Sequence, residues 1–131
     1  MPKIRFWGIT EEYPEDISHT KVIHCFTRGQ CTSLARAIHK LTGWPLYVLA
    51  KRECSNRREL NSYGAHVVCK RPDGKYVDIT GAWSREERWL MWQYVIPTTD
   101  SEVKKIGWDR QNVRNAMFYA RKVIKACGLG D

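Results

Sequence analysis

The sequence predicts a single α+β domain in which a cysteine-bearing helix packs on an antiparallel β-sheet. Two features carry this prediction, an amphipathic helix that begins at Cys31 and a hairpin within residues 64–81. A helical stripe of apolar residues near the C-terminus predicts additional helices after the sheet. With 131 residues, the chain has the length of one domain, 1–131, with its own hydrophobic core.

The helix that begins at Cys31 places its thiol on an apolar stripe. The apolar residues lie three, four, seven and ten positions after it: Leu34, Ala35, Ile38 and Leu41. Gly43 is expected to end the helix. A thiol in a first helical turn faces unpaired N–H groups and the positive end of the helix dipole, which favour thiolate. The alternative is a small buried hydrophobic residue, because free cysteine is among the most buried residue types.

The hairpin consists of two β-rich runs, residues 64–70 and 75–81, around a Pro-Asp-Gly turn. A three-residue loop with Gly74 in the left-handed conformation would make Arg71 and Lys75 the last pair. Counting back from that pair, His66 faces Thr80. Because side chains alternate along each strand, His66 and Asp78 then share one face.

The remaining elements are less regular. Residues 3–9 form a strand or extended arm, residues 21–26 a strand or helical turn, residues 44–50 a buried strand and residues 51–62 a surface loop. Ser84 and Glu87 form the capping box of a short helix that Trp89, Leu90 and Trp92 dock, and Pro97 ends this segment. Residues 101–106 form one or two turns. Asp109 caps the last helix, which ends before Gly128.

The cysteine content favours reduced thiols, because the five cysteines are odd in number and show no secreted framework. No metal site is expected, since His24, Cys25 and Cys31 have no second pair at zinc-binding spacing. No stretch approaches the about 20 apolar residues of a membrane span. We therefore expect a soluble, cytoplasmic protein that does not contact membranes.

The chain is basic, with 22 Lys and Arg residues against 14 Asp and Glu and a formal net charge of +8. An acidic partner or a nucleic acid must therefore be considered. The basic residues are spread along the chain and form no nucleic-acid motif. A solvated basic surface is the simpler interpretation.

Three residues supply the groups that cysteine-based acyl chemistry needs: a thiolate, an imidazole that moves a proton, and a carboxylate that orients the imidazole. Cys31 lies at a helix start, His66 near the beginning of a strand, and Asp78 on the next strand of the hairpin. The combination predicts a Cys-His-Asp triad. The backbone N–H of Cys31, together with the Gln30 side chain, would stabilise the oxyanion.

These residues resemble the transglutaminase-like branch of the papain-like cysteine enzymes. The similarity covers residues 29–83: Gly29-Gln30-Cys31 is similar to the family's Gly-x-Cys entry, residues 41–48 to its helix-to-strand passage, and residues 66–69 and 73–80 to its His and Asp strands. The resemblance implies a papain-like core and a thiol-based acyl chemistry without a cofactor. His66 is followed by Val67-Val68 where the family usually has Ala-Trp, which leaves the reaction open.

The expected substrate is a protein or peptide. Hydrolysis of a peptide or isopeptide bond, deamidation and acyl transfer all share one acyl-enzyme. Trp83 and the 51–62 loop are expected to border the substrate cleft. Two alternatives keep the same fold: a non-catalytic adaptor or inhibitor that binds an acidic partner through Lys51, Arg52, Arg57 and Arg58, and a nucleic-acid-binding module.

Overall fold

The computed structural model describes residues 2–54, 56, 58–60, 64–106 and 111–127. In chain order these form β1 (Lys3–Phe6), β2 (Ile9–Glu12), α1 (Thr20–Arg28), α2 (Cys31–Thr42), β3 (Leu46–Ala50), β4 (Ala65–Lys70), β5 (Tyr76–Asp78), β6 (Gly81–Trp83), a π-helical turn (Arg85–Trp89), β7 (Tyr94–Thr98), α3 (Asp100–Val103) and α4 (Val113–Ala126). The mixed helix and strand content confirms the α+β class.

The central layer is an antiparallel sheet whose described strands lie in the order β6-β5-β4-β3-β7. Helix α2 covers one face, and Cys69 Sγ on β4 donates to the carbonyl oxygen of Ala35 at 3.2 Å. A second buried cluster lies on the other face and consists of Leu49, Val68, Tyr76 and Trp89. Strands β1 and β2 form a separate hairpin. The sheet thus has a helix-covered face and a face that carries aromatic residues.

Helix α2 is held by its C-terminal cap and by contacts along its side. Gly43 ends it in the left-handed conformation, with a φ of 75° and an N–H that donates to His39 O at 2.8 Å, as predicted. Helix α4 packs beside it. The buried Arg36 binds the Asp100 carboxylate through Nε at 2.8 Å and Gln111 Oε1 through a second nitrogen at 2.7 Å. Helix α2 is therefore capped by Gly43, packed against α4 and anchored through Arg36.

The β4–β5 hairpin has the predicted register. Cys69 faces Val77, Arg71 N–H donates to Lys75 O at 2.8 Å, and Gly74 has a φ of 92°. The predicted pairing of His66 with Thr80 does not form, because β5 ends at Asp78 and the chain turns into β6, which pairs Asp78 with Gly81. Residues 75–81 are thus two short strands rather than one.

Several predicted elements differ from the structure. Residues 21–26 belong to helix α1, which is the helical one of the two predicted alternatives, whereas β7 has no counterpart among the predicted elements. Pro97 lies within β7, which an edge strand permits because proline cannot donate to an inner ladder. The Ser84–Glu87 capping box is present, whereas Leu90 is 65% exposed and does not dock.

Two further predictions concern the C-terminal half. Residues 101–106 contribute to α3, which spans Asp100–Val103. Helix α4 begins at Val113, and Asp109 and Gly128, the predicted limits of this helix, lie outside the described residues. The 51–62 loop is described in part and includes helical residues 58–60.

Candidate active site

The ring of His66 connects Cys31 with Asp78. His66 Nε2 lies 3.0 Å from Asp78 Oδ2, and both side chains are buried. The same ring interacts with the thiol of Cys31, and each of the two groups shifts the pKa of the other. Because Nε2 faces Asp78, Nδ1 is the ring nitrogen that remains for the sulfur. The three residues predicted as a triad are therefore brought together, from α2, β4 and β5.

The sulfur reaches His66 at the edge of β4, beyond the end of β5. Arg71 and Lys75 form a hydrogen-bonded pair, and such pairs recur at every second residue of an antiparallel ladder. Continuing the ladder would pair Val67 with Ile79, but β5 has already ended. The N–H of Val67 instead acts on the Cys31 thiol, whose pKa it lowers. The first turn of α2 therefore occupies the place where a longer β5 would have continued.

This position corrects the expected approach of the thiol. The predicted packing of the cysteine-bearing helix on the sheet would have placed Cys31 opposite His66 across the interface between helix and sheet. His66 and Asp78 instead lie on the face that carries the Trp89 cluster, opposite the face that α2 covers. Cys31 meets the imidazole beyond the end of β5, so the triad lies where the short β5 leaves β4 unpaired rather than across the helix–sheet interface.

The environment of Cys31 favours thiolate. Burial alone would raise the pKa of its thiol, but the hydrogen bond and charge of His66 and the N–H groups of Val67 and Thr32 lower this pKa below its ordinary value. Cys31 is buried, with 9% of the residue exposed. The thiol thus combines activation with limited access.

The pKa of His66 moves in the opposite direction. Burial favours the neutral ring, but hydrogen bonds to Asp78 and Cys31 and the charges of both raise the pKa to about 10. Burial would raise the pKa of Asp78, and the contacts with His66 and Thr80 lower it below its ordinary value. These shifts favour an ion pair between a Cys31 thiolate and a His66 imidazolium, beside the ionised Asp78 carboxylate.

Other thiols lack this activation. Burial raises the pKa of Cys69 to about 12 and also raises that of Cys54 and Cys127. Cys54 is more exposed than Cys31. The more exposed thiol and the activated thiol are therefore different cysteines. An experiment can thus separate the effect of exposure on reactivity from the effect of thiolate character.

Two tryptophan rings stack on the imidazole. The ring centroids of Trp89 and Trp92 lie 5.7 Å and 6.2 Å from that of His66. Lys51 Nζ lies 5.6 Å from the centroid of Trp92. The beginning of the 51–62 loop is thus near the site, as predicted for a rim.

The later described part of this loop lies elsewhere. Its residues Cys54, Asn56 and Leu60 line a cavity of about 220 Å³ together with Val48 and Ile96. Val48 belongs to the core cluster on the helix-covered face of the sheet. The loop therefore runs from the triad toward the opposite face.

Gln30 is completely buried next to Cys31, and its Oε1 accepts a hydrogen bond from the hydroxyl of Ser33. This contact fixes the orientation of the side-chain amide. Ser33 Oγ in turn accepts from the N–H of Asn112 at 2.7 Å, which ties the loop before α2 to the start of α4. Gln30 is thus next to Cys31 in the chain, and its side-chain oxygen binds Ser33 near the start of α4.

Trp83 is connected to Asp78 through Thr80. Its indole N–H donates to Thr80 Oγ1 at 3.1 Å, and that hydroxyl donates to Asp78 Oδ1. The carbonyl oxygen of Trp83 accepts from the indole N–H of Trp89 at 3.1 Å. No pattern in the sequence predicts that Thr80, Trp89 and Trp92 support the triad in this way.

Among the described residues, no group of three or more His, Cys, Asp or Glu side chains could hold a metal ion. Within the same ranges, no helix has the length and apolar character required to cross a membrane. Comparisons with protein-family models, curated proteins and solved structures find no match for this chain.

Proposed function

We propose that this chain is a cysteine enzyme that performs acyl chemistry on an amide bond, with Cys31 as nucleophile, His66 as general acid and base, and Asp78 as the group that orients His66. The observation that carries the proposal is the continuous connection from the thiol through the buried imidazole to the carboxylate. A papain-like, transglutaminase-like core is part of the same proposal, because it accounts for a Cys-bearing helix beside His and Asp strands.

In the first step, the sulfur of Cys31 attacks the carbonyl carbon of the amide and forms a C–S bond. The oxyanion accepts a hydrogen bond from the N–H of Cys31, whereas the completely buried Gln30 side chain exposes no surface to a substrate. The proton of the imidazolium passes to the amide nitrogen, the C–N bond breaks, and an amine leaves. A thioester on Cys31 and a neutral His66 remain.

In the second step, water or an amine attacks the thioester, and His66 takes the proton of this second nucleophile. The C–S bond breaks and regenerates the thiolate and the imidazolium. Water gives hydrolysis or deamidation, whereas an amine gives acyl transfer. The substrate is a protein or peptide, the chemistry needs no cofactor, and a cytoplasmic setting would keep the thiols reduced.

The experiment that tests the proposal combines alkylation with acylation of the full chain. Iodoacetamide at neutral pH should modify Cys31 before the more exposed Cys54, because only the former is activated. p-Nitrophenyl acetate should release a burst of p-nitrophenolate and add one acetyl group to the same residue. The variant C31S should lose both reactions, and the matched variant C54S should retain them.

Preferential modification of Cys54 with no acetylation of Cys31 would overturn the proposal. An inert Cys31 would instead favour the adaptor that binds an acidic partner through exposed Lys51, Arg52 and Arg58. Arg57, the fourth residue predicted for that surface, lies outside the described residues.

A further inference from the structure

Asp78 is held by more than its contact with His66. Its Oδ2 faces the imidazole at 3.0 Å, while its Oδ1 accepts two hydrogen bonds from Thr80. One donor is the backbone N–H at 2.8 Å and the other is the Thr80 hydroxyl. Both carboxylate oxygens are therefore engaged, and rotation of the carboxylate would break contacts at each of them.

Trp83 determines the direction of the Thr80 hydroxyl. A hydroxyl has one proton to donate and lone pairs that accept. Because the indole N–H of Trp83 donates to Thr80 Oγ1 at 3.1 Å, that oxygen acts as acceptor toward Trp83 and directs its own proton to Asp78. The indole thus prevents the hydroxyl from turning away from the carboxylate.

The same turn serves the thiol. Ile79 and Thr80 form the turn between β5 and β6, and this turn ends β5 before it can pair with Val67. Ending the strand leaves the Val67 N–H for Cys31, and the next residue after Ile79 supplies two donors to Asp78. One turn therefore arranges both ends of the triad.

We propose that Thr80 is a positioning residue of the site and that Trp83 directs its hydroxyl, so that Asp78 keeps its Oδ2 on His66 Nε2. The inference rests on the proposed function and deepens it, since it assigns Trp83 to the support of the carboxylate. Neither Thr80 nor Trp83 forms a bond with the reacting groups. They act through Asp78.

The test measures the order of the His66–Asp78 contact without any substrate. In the full chain labelled with ¹⁵N-histidine, the exchange of the His66 Nε2 proton with water is measured by NMR at neutral pH. A buried proton held by a fixed carboxylate exchanges slowly. T80V retains the backbone donor and the branched shape but removes the hydroxyl, and it should accelerate exchange by about tenfold, the loss of one hydrogen bond to a charged group. T80S should restore slow exchange.

A second readout is the titration of Asp78, followed through ¹³C-labelled aspartate. Removing a donor that stabilises the carboxylate should move its midpoint to higher pH in T80V but not in T80S. A residue that served only to fill space would leave both readouts unchanged. W83F leaves the hydroxyl in place but undirected, and it should give an intermediate exchange rate.

Exchange in folded T80V that equals that of the native chain would overturn the inference. If T80V fails to fold, W83F provides the test, since native exchange rates in that variant would also overturn the inference. Neither measurement uses turnover. An unreactive Cys31 alongside fast exchange in T80V would overturn the proposed function and leave the positioning role intact.

Discussion

The backbone N–H of Val67 lowers the pKa of the Cys31 thiol, and β5 ends before it can pair with this N–H. In a longer β5 the sheet would have used this N–H for its own ladder. The first turn of α2 would then have had no access to the edge of β4. A local shortening of one strand therefore provides both a donor for the thiolate and the approach to His66.

Replacing the imidazole should remove the activation of Cys31. In H66Q the thiol loses the hydrogen bond and the positive charge that oppose its burial, so its pKa should rise. We expect the rate of alkylation by iodoacetamide at pH 7 to fall by at least about tenfold, because the thiolate fraction falls. The rate is measured by intact mass and peptide mapping.

The matched control is H24Q, since His24 is an exposed histidine on α1. This variant should label at the native rate. A native rate in H66Q would show that the helix N-terminus and the sheet-edge N–H alone activate the thiol.

The pH dependence of alkylation should follow the two shifted groups. The pKa of Cys31 lies below its ordinary value, so the midpoint of the first rise in rate should lie below pH 9.0, the ordinary value for this thiol. The rate should rise again near pH 10, where His66 loses its proton, because a thiolate without an adjacent imidazolium is more nucleophilic. Stopped-flow measurements from acid to alkaline pH test both steps. A single step at the ordinary thiol pKa would contradict the ion pair.

Arg36 and Asp100 should contribute to stability in a pH-dependent way. Arg36 holds the pKa of the Asp100 carboxyl below its ordinary value of 3.8. The contribution of a carboxyl with a lowered pKa is fully present above that ordinary value and is lost as the pH falls through the folded-state pKa. D100N should therefore reduce the free energy of unfolding at pH 7 by about 1–2 kcal/mol and by less in acid.

Urea unfolding at neutral and acid pH measures this effect. E102Q is the matched control, because Glu102 lies on the same helix and makes an exposed ion pair with Lys105 at 3.7 Å. We expect E102Q to change stability by less than about 0.5 kcal/mol. Equal losses in both variants would show that the buried guanidinium gives no special stabilisation.

Local sequence patterns predicted the parts of the site that depend on local geometry. The helix from Cys31 to Gly43 follows from apolar spacing and a glycine cap, and the hairpin register follows from the length of the Pro-Asp-Gly loop. These two features place His66 and Asp78 on one face. They are short-range properties, so a single sequence contains them.

The rest depends on contacts between distant segments. Residues 94–98 form an edge strand because β3 offers an unpaired side, which no pattern within Tyr-Val-Ile-Pro-Thr reveals. The stacking of Trp89 and Trp92 on His66 requires the π-helical turn to fold back over the sheet. The meeting of Cys31 with the edge of β4 depends on where β5 ends, and sequence reasoning extended that strand too far.

Changing the length of the β4–β5 loop should separate the triad. β4 is paired with β3 from Ala65 to Cys69, whereas β5 has only short pairings with its neighbours, so a change in loop length should move β5. A glycine inserted between Asp73 and Gly74, or deletion of Asp73, shifts the register by one and turns Asp78 to the opposite face. Alkylation of Cys31 should then slow by at least about tenfold, because His66 loses its carboxylate partner.

The control is a glycine inserted between Trp7 and Gly8, in the turn of the separate β1–β2 hairpin. The same lengthening there leaves the register of β4 and β5 unchanged, so Cys31 should label at the native rate. Insertion and deletion both reverse the face of Asp78, but one lengthens the loop and the other shortens it. A native rate in both folded variants would therefore mean that the loop does not align the triad. Slow labelling in both, with the β1–β2 insertion unaffected, would trace the reactivity of Cys31 to a three-residue turn far along the chain from it.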